Sequence, residues 1–141
     1  SRCLIVGHGR IARALIRILR GMGASVTVAA RSYGSLAEIE AEGCRAVRTD
    51  PLKTSVKAAD VVINTVPARM LTEPVLSALK HDALVIDLAS RPGGVDLAAA
   101  GRLGVKTIWA LSLPGKTAPI TAGEIILHTI ENCLSELEEA V

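Results

Sequence analysis

Cys3-Leu4-Ile5-Val6-Gly7-His8-Gly9-Arg10-Ile11-Ala12 is the stretch on which the reading of this chain turns. Four apolar residues run straight into G-x-G-x-x-A, and apolar side chains then recur at helical spacing. Gly7 permits a tight turn, Gly9 lets backbone approach a diphosphate, and the small Ala12 lets the next helix pack closely on the strand. The free N–H groups that open that helix then face an anion. Strand, glycine turn and helix in this order imply a dinucleotide-phosphate site, with Gly7, Gly9, Arg10 and Ile11 at the contact.

Outward from this stretch the same rhythm continues. Strands are expected at Cys3 to Val6, Val26 to Ala30, Ala46 to Arg48, Val61 to Thr65, Leu84 to Leu88 and Thr107 to Ala110. They are rich in Val, Ile and Leu without strict alternation, as strands covered on both faces should be. Short strands alternating with helical patterns give an α/β doubly wound parallel sheet of six strands, order 3-2-1-4-5-6, with helices on both faces. Ile11, Leu15, Ile18 and Met22 form the expected buried stripe of the first helix. Ser35 with Glu38, and Thr121 with Glu124, fit capping boxes, and Thr72 shortly before Pro74 fits a helix start. A last helix carries Ile126, Ile130, Cys133 and Leu137 on one stripe, with Glu136, Glu138 and Glu139 loosening its end. With no repeat, low-complexity tract or linker, residues 1–141 read as one domain.

Composition narrows the classes. The chain has 141 residues, half of them hydrophobic, enough for one substantial core. A net charge of +2 supplies no bulk attraction to nucleic acid or membrane. Three cysteines, Cys3, Cys44 and Cys133, lie far apart and form neither a disulfide framework nor a zinc site. Cys3 and Cys133 read as small buried hydrophobes, and nothing marks Cys44 as activated. His8, His81 and His128 have no partner at metal or triad spacing, so no metal is expected and no residue is assigned to catalysis. No apolar run nears the ~20 residues of a membrane span, and no signal pattern opens the chain, so a soluble cytoplasmic protein is expected. The missing initiator methionine, with Ser1 so close to the first strand, gives the expectation of a piece of a longer chain.

The second strand ends Val28-Ala29-Ala30-Arg31-Ser32, where an NAD site usually places an acid for the ribose 2′-hydroxyl. Arg31 can instead pair with a 2′-phosphate and Ser32 can donate to it, which favours NADP over NAD. Arg10, Arg13, Arg17 and Arg20 form one basic helix face, of which Arg10 alone lies beside the glycines. Asn64-Thr65-Val66-Pro67 and Asp87-Leu88-Ala89-Ser90-Arg91-Pro92-Gly93-Gly94 fall at the carboxyl ends of the fourth and fifth strands. There Thr65, Val66, Pro67, Leu88 and Ala89 should border the nicotinamide half of the cofactor. Gly93 and Gly94 are expected to expose backbone donors to an anion, with Arg91 adding charge, and Lys116 and Thr117 in the long 111–123 loop to line the same mouth.

Taken together, G-x-G-x-x-A at Gly7 to Ala12, Ala30-Arg31-Ser32, Ile63 to Pro67, the D-L-A-S-R-P-G-G run at Asp87 to Gly94 and the L-P-G-K-T-A-P-x-T-A-G run at Leu113 to Gly123 resemble the nucleotide-binding half of the A-type polypeptides of the dipicolinate synthase family. The last two runs carry the resemblance. It implies a Rossmann domain of an NADP-dependent oxidoreductase acting on a CH–CH type bond, which oxidises a dihydrodipicolinate-type precursor to dipicolinate during sporulation. It further implies an N-terminal domain outside this chain, a flavoprotein-like second subunit, and little turnover by this piece alone, while leaving homo-oligomerisation open. A dicarboxylate substrate calls for cationic anchors, for which Arg91 and Lys116 are the candidates, with Ser90 and the N–H groups of Gly93 and Gly94 beside them. The competing readings are a non-enzymatic nucleotide-sensing domain of a potassium-transport regulator and the cofactor domain of another dehydrogenase, such as a hydroxyacid reductase.

Overall fold

The computed structural model of the chain describes residues 2–90 and 92–109. Arg91, the 111–123 loop with Lys116, and the expected final helix with its Thr121–Glu124 cap lie outside the described residues.

Six strands, β1 (Arg2–Val6), β2 (Ser25–Ala30), β3 (Arg45–Arg48), β4 (Val61–Asn64), β5 (Leu84–Asp87) and β6 (Lys106–Trp109), build one sheet. All neighbours pair in parallel, in the order β3-β2-β1-β4-β5-β6. Each strand lies within one residue of the span expected from the apolar runs, the expected end at Ala110 lying outside the described residues. Parallel neighbours need a crossover, and here the crossovers are α1 (Arg10–Gly21), α2 (Tyr33–Ala41), the short α3 (Leu52–Ser55) with a 3-10 turn at Val56–Ala58, α4 (Glu73–Ser77) and α5 (Leu97–Leu103).

Successive strand residues point to opposite faces, so an all-apolar strand feeds two cores at once. Ile5, Val28, Ile63 and Ile86 meet α1 and Ile39 of α2 on one face. Leu4, Val62 and Val85 meet Leu71, Val75, Leu76 and Ala99 on the other. Every residue of β4 and β5 is buried. At ~1.5–3 kcal/mol for each fully buried large aliphatic side chain, this double layer dominates the stability.

The face that α1 buries differs from the expected stripe. Ala12, Leu15, Ile16 and Leu19 are buried, Ile18 is only partly buried, and Ile11 and Met22 are 50% and 40% exposed. The close approach at Ala12, fully buried, sets the rotation of the helix, and it turns the neighbouring Ile11 outward. Met22 lies past the last turn, where Gly23 and Ala24 fold back onto the carbonyls of Arg20 and Leu19.

Two helices, α2 and α5, start on a side-chain cap, while Gly9, Pro51 and Thr72 precede α1, α3 and α4 without a side-chain hydrogen bond. Thr72 is the N-cap of α4 and Pro74 sits in its first turn, as expected, and Asp96 caps α5 by accepting from the N–H of Ala99 at 3.1 Å. For α2, however, the cap is Ser32 and not Ser35: the Ser32 hydroxyl accepts from the N–H of Ser35 at 3.1 Å. An N-cap must hold extended backbone, and Ser32 does, with φ −92° and ψ 147°. Among the described residues no helix is long and apolar enough to cross a membrane.

The α1 packing predicts that Leu19→Ala lowers unfolding free energy by about 2–5 kcal/mol, while Met22→Ala changes it by less than about 1 kcal/mol. Urea unfolding of the two variants checks this; equal losses would restore the Ile11–Met22 stripe.

Candidate functional site

In the order β3-β2-β1-β4-β5-β6 the chain leaves β1 and β4 in opposite directions, so their carboxyl ends open a crevice. Gly7 begins its floor. Its φ is +106°, its N–H donates to Ala29 O at 2.8 Å, and a Cβ there would stand 2.4 Å from Thr65 Oγ1 and 2.8 Å from Val66 Cγ2. Thr65 is held in this contact because its hydroxyl donates to Val6 O at 2.7 Å. Gly9, the N-cap of α1, faces the other way: a Cβ there would meet nothing within 4 Å. The backbone of the first helical turn is therefore open to an approaching group, and exposed Arg10 and Ile11 flank it.

A cleft of about 320 Å³ joins this turn to the end of β2 and the loop after β4. It brings together Gly7, Arg31, Ser32 and Val66, all expected at the site, and adds His8, Thr49 and Met70. Thr49 is legible by the same logic, since it directly follows β3 at a carboxyl end, and its N–H is tied to Ala30 O at 3.2 Å. Arg31 is exposed and makes no hydrogen bond or ion pair among the described residues. Ser32 accepts in its capping role, which leaves its hydroxyl proton free to donate. Arg13 and Arg20 of the basic face are committed elsewhere, to the Glu38 carboxylate at 3.3 Å and to the carbonyl of Glu42.

Beyond β4 and β5 lies a buried polar cluster that the sequence motifs do not announce. Asn64 and Asp87 are 0% and 2% exposed. Asn64 Nδ2 donates to Asp87 Oδ1 at 3.1 Å and to Val66 O at 2.9 Å. The Asp87 carboxylate also accepts from Ala89 N–H at 3.1 Å and from Gly94 N–H at 2.8 Å. One carboxylate thus binds the loop after β4, the end of β5 and the start of α5 into one unit. The signal available in the sequence is a pair of polar residues at the ends of two otherwise apolar strands.

This cluster changes the role of the paired glycines. The N–H groups of Gly93 and Gly94, expected to face an anion, are taken by Ser90 O at 2.8 Å and by Asp87. A buried carboxylate must collect donors, and the nearest backbone supplies them. Leu88 and Ala89, expected at the nicotinamide, are 8% and 3% exposed, with Leu88 packed in the core. Pro67 and Ser90 are exposed, while Thr65 and Val66 are half-buried. Burial pushes the Cys3 thiol up to about 11 and raises that of Cys44, which fits inert core cysteines.

This fold and crevice define a nucleotide-binding α/β domain, and comparison with known proteins specifies it. The model of the D-isomer specific 2-hydroxyacid dehydrogenase, NAD binding domain, matches residues 1–100, and the chain belongs to that family of Rossmann domains. More particularly, it is 41% identical over 138 residues to the A polypeptide of dipicolinate synthase from Bacillus subtilis (strain 168), covering 98% of this chain and 46% of that relative. The crystal structure of the dipicolinate synthase A chain from Bacillus subtilis superposes with TM-score 0.80 at 40% identity, covering 100% of this chain and 47% of the other. The corresponding crystal structure from Bacillus halodurans gives TM-score 0.80 at 35% identity, covering 92% and 45%. The chain therefore spans about half the length of these relatives.

The two glycine environments predict opposite outcomes. A Cβ on Gly94 would lie 1.9 Å from Asn64 Nδ2, so Gly94→Ala should lower stability by about 2–3 kcal/mol through overpacking in the buried cluster. Gly9→Ala should cost less than about 1 kcal/mol and act on ligand binding instead. Thermal unfolding of both variants measures the difference.

Proposed function

We propose that this chain, as one domain over 1–141, is the NADP-binding part of an oxidoreductase of the dipicolinate synthase kind, in its A-type polypeptide. The whole enzyme would convert a dihydrodipicolinate-type precursor to dipicolinate in the cytoplasm of a sporulating cell, together with a flavoprotein-like second subunit. The observation that carries this reading is the reach of the similarity: the dehydrogenase family model ends at residue 100, whereas the relation to the dipicolinate synthase polypeptide continues through 98% of the chain. That extra reach includes the loop with Lys116.

The site residues fit a nicotinamide dinucleotide. Open backbone at Gly9 and the first N–H groups of α1 would hold the diphosphate, with Arg10 and Ile11 beside it. Arg31, which has no counter-charge among the described residues, would pair with the 2′-phosphate, and the free proton of Ser32 would add a hydrogen bond. Thr65, Val66 and Pro67, with the backbone of Leu88 and Ala89, would border the nicotinamide. When bound, oxidised NADP supplies the hydride acceptor. The chain's own task is orientation: the substrate ring loses a hydride and a proton and becomes aromatic, so the donor carbon need only be held in place. Ser90, Arg91 and Lys116 are the proposed anchors for the two substrate carboxylates; Gly93 and Gly94 support them as structure, their N–H groups being spent on Ser90 and Asp87.

The matched family model favours one other reading, the cofactor domain of a hydroxyacid dehydrogenase. Turnover of the whole two-subunit enzyme with a 2-hydroxy acid and with a dihydrodipicolinate precursor separates the two.

Calorimetric titration of this chain should show NADP binding about tenfold to a hundredfold more tightly than NAD, the worth of a charge-assisted pair. Arg31→Ala should erase that preference and leave NAD binding little changed; equal affinities in the unsubstituted chain would remove Arg31 from the site. In the whole enzyme, Arg91→Ala should raise the substrate KM by roughly tenfold, and unchanged kinetics would exclude it as an anchor.

A further inference from the structure

Among the described residues, the buried side-chain nitrogens and oxygens that lack a hydrogen-bond partner are both on one ring, Nδ1 and Nε2 of His8. His8 stands between Gly7 and Gly9, in the turn whose backbone approaches the diphosphate. Its side chain is 2% exposed and points under α2. There Nδ1 lies 3.9 Å from Glu38 Oε2 and Nε2 lies 3.6 Å from Glu42 Oε1. Both distances exceed a hydrogen bond, yet each nitrogen faces its own carboxylate. Neutral imidazole has a single N–H and could serve only one of them as a donor; imidazolium has two N–H groups and matches both.

The ring sits among opposing charges. Glu38 of α2 and Glu42, the residue that caps its C-terminus, face it with negative charge. From α1, Arg13 pairs with Glu38 at 3.3 Å, Arg20 donates to the carbonyl of Glu42, and Arg17 lines the same groove. Arg31 shares the cleft with His8. These guanidiniums set positive charge against the two carboxylates. A diphosphate on the Gly7–Gly9 backbone would add negative charge beside the ring.

We propose that His8 is a proton-linked determinant of dinucleotide affinity: its ring gains a proton as the diphosphate settles on the glycine turn, and Glu38 and Glu42 close on its two N–H groups. The proposal rests on the dinucleotide reading above and deepens it. It gives the turn a mechanical link to α2, the helix that begins just after Arg31 and Ser32, so the diphosphate and ribose ends of the site are tightened by one event. The sign follows from mass action. Binding that takes up a proton strengthens as pH falls through the histidine range and weakens as pH rises.

The test is calorimetric titration of this chain with NAD between about pH 5.5 and about pH 8, in two buffers of different protonation enthalpy. NAD is chosen because the 2′-phosphate of NADP titrates near pH ~6 by itself. The expected result is NAD affinity about fivefold higher at the acid end, the size of one screened charge–charge interaction across the turn, with net proton uptake. His8→Gln should flatten this dependence and remove the uptake. A Glu38→Gln, Glu42→Gln double variant should do the same; its side chains are 59% and 37% exposed, so the fold tolerates the change. A slope unchanged in both variants, or no proton uptake by the unsubstituted chain, overturns the proposal. Failure of both NAD and NADP to bind at any pH overturns the dinucleotide reading itself, and this inference with it.

Discussion

A carboxylate buried at the end of a central strand is tolerable only when donors converge on it, and Asp87 imposes that condition on everything around it. Its three donors come from Asn64, Ala89 and Gly94, which belong to three different segments. Satisfying the charge therefore fixes where the loop after β4 runs, how β5 ends and where the turn before α5 returns. The Gly94 carbonyl extends the tie by accepting from both Met70 and Leu71 N–H, at 3.1 and 2.9 Å. The loop after β4, held in this way, places Val66, Ala68 and Met70 along the cleft.

The opposite wall is set by contact rather than charge. The glycine turn comes within van der Waals range of Thr65 and Val66 because Gly7 has no side chain, and α1 comes down onto the sheet because residue 12 is alanine. These two close approaches bring the turn against the loop that Asn64 holds. The crevice is thus rigid at its base, where hydrogen bonds and packing coincide, while its charged residues Arg10 and Arg31 project from exposed positions. A rigid backbone cradle with exposed cationic tips suits an anionic ligand that must be oriented precisely before any chemistry.

His8 connects this cradle to the helix behind it. Among the described residues its ring alone is buried with side-chain nitrogens that lack a hydrogen-bond partner, a combination that native interiors rarely keep without cause. Two carboxylates stand just beyond reach of its nitrogens, so a change of charge on the ring would convert a passive contact into two ion pairs.

Much of this is legible in the residues in order. Strand positions, the all-parallel order and the glycine turn are local or statistical properties of the chain: apolar runs of strand length, a fixed G-x-G-x-x-A spacing, and the handedness of parallel crossovers. Arg31 and Ser32 at the end of β2 follow from the same local logic. The buried stripe of α1 departs from the one its large side chains suggest, because Ala12 sets the helix rotation by how near it lets the sheet come. Gly93 and Gly94 look like donors for a ligand in the sequence, because their consumption by Asp87 and Ser90 depends on how the loop folds back, which no spacing along the chain reveals. The sequence by itself determined the periodicities and the turn chemistry. Which N–H groups stay free, which helix face is buried and which carboxylates meet His8 were decided only by tertiary structure, because each depends on groups far apart in the chain competing for the same donors, acceptors and space.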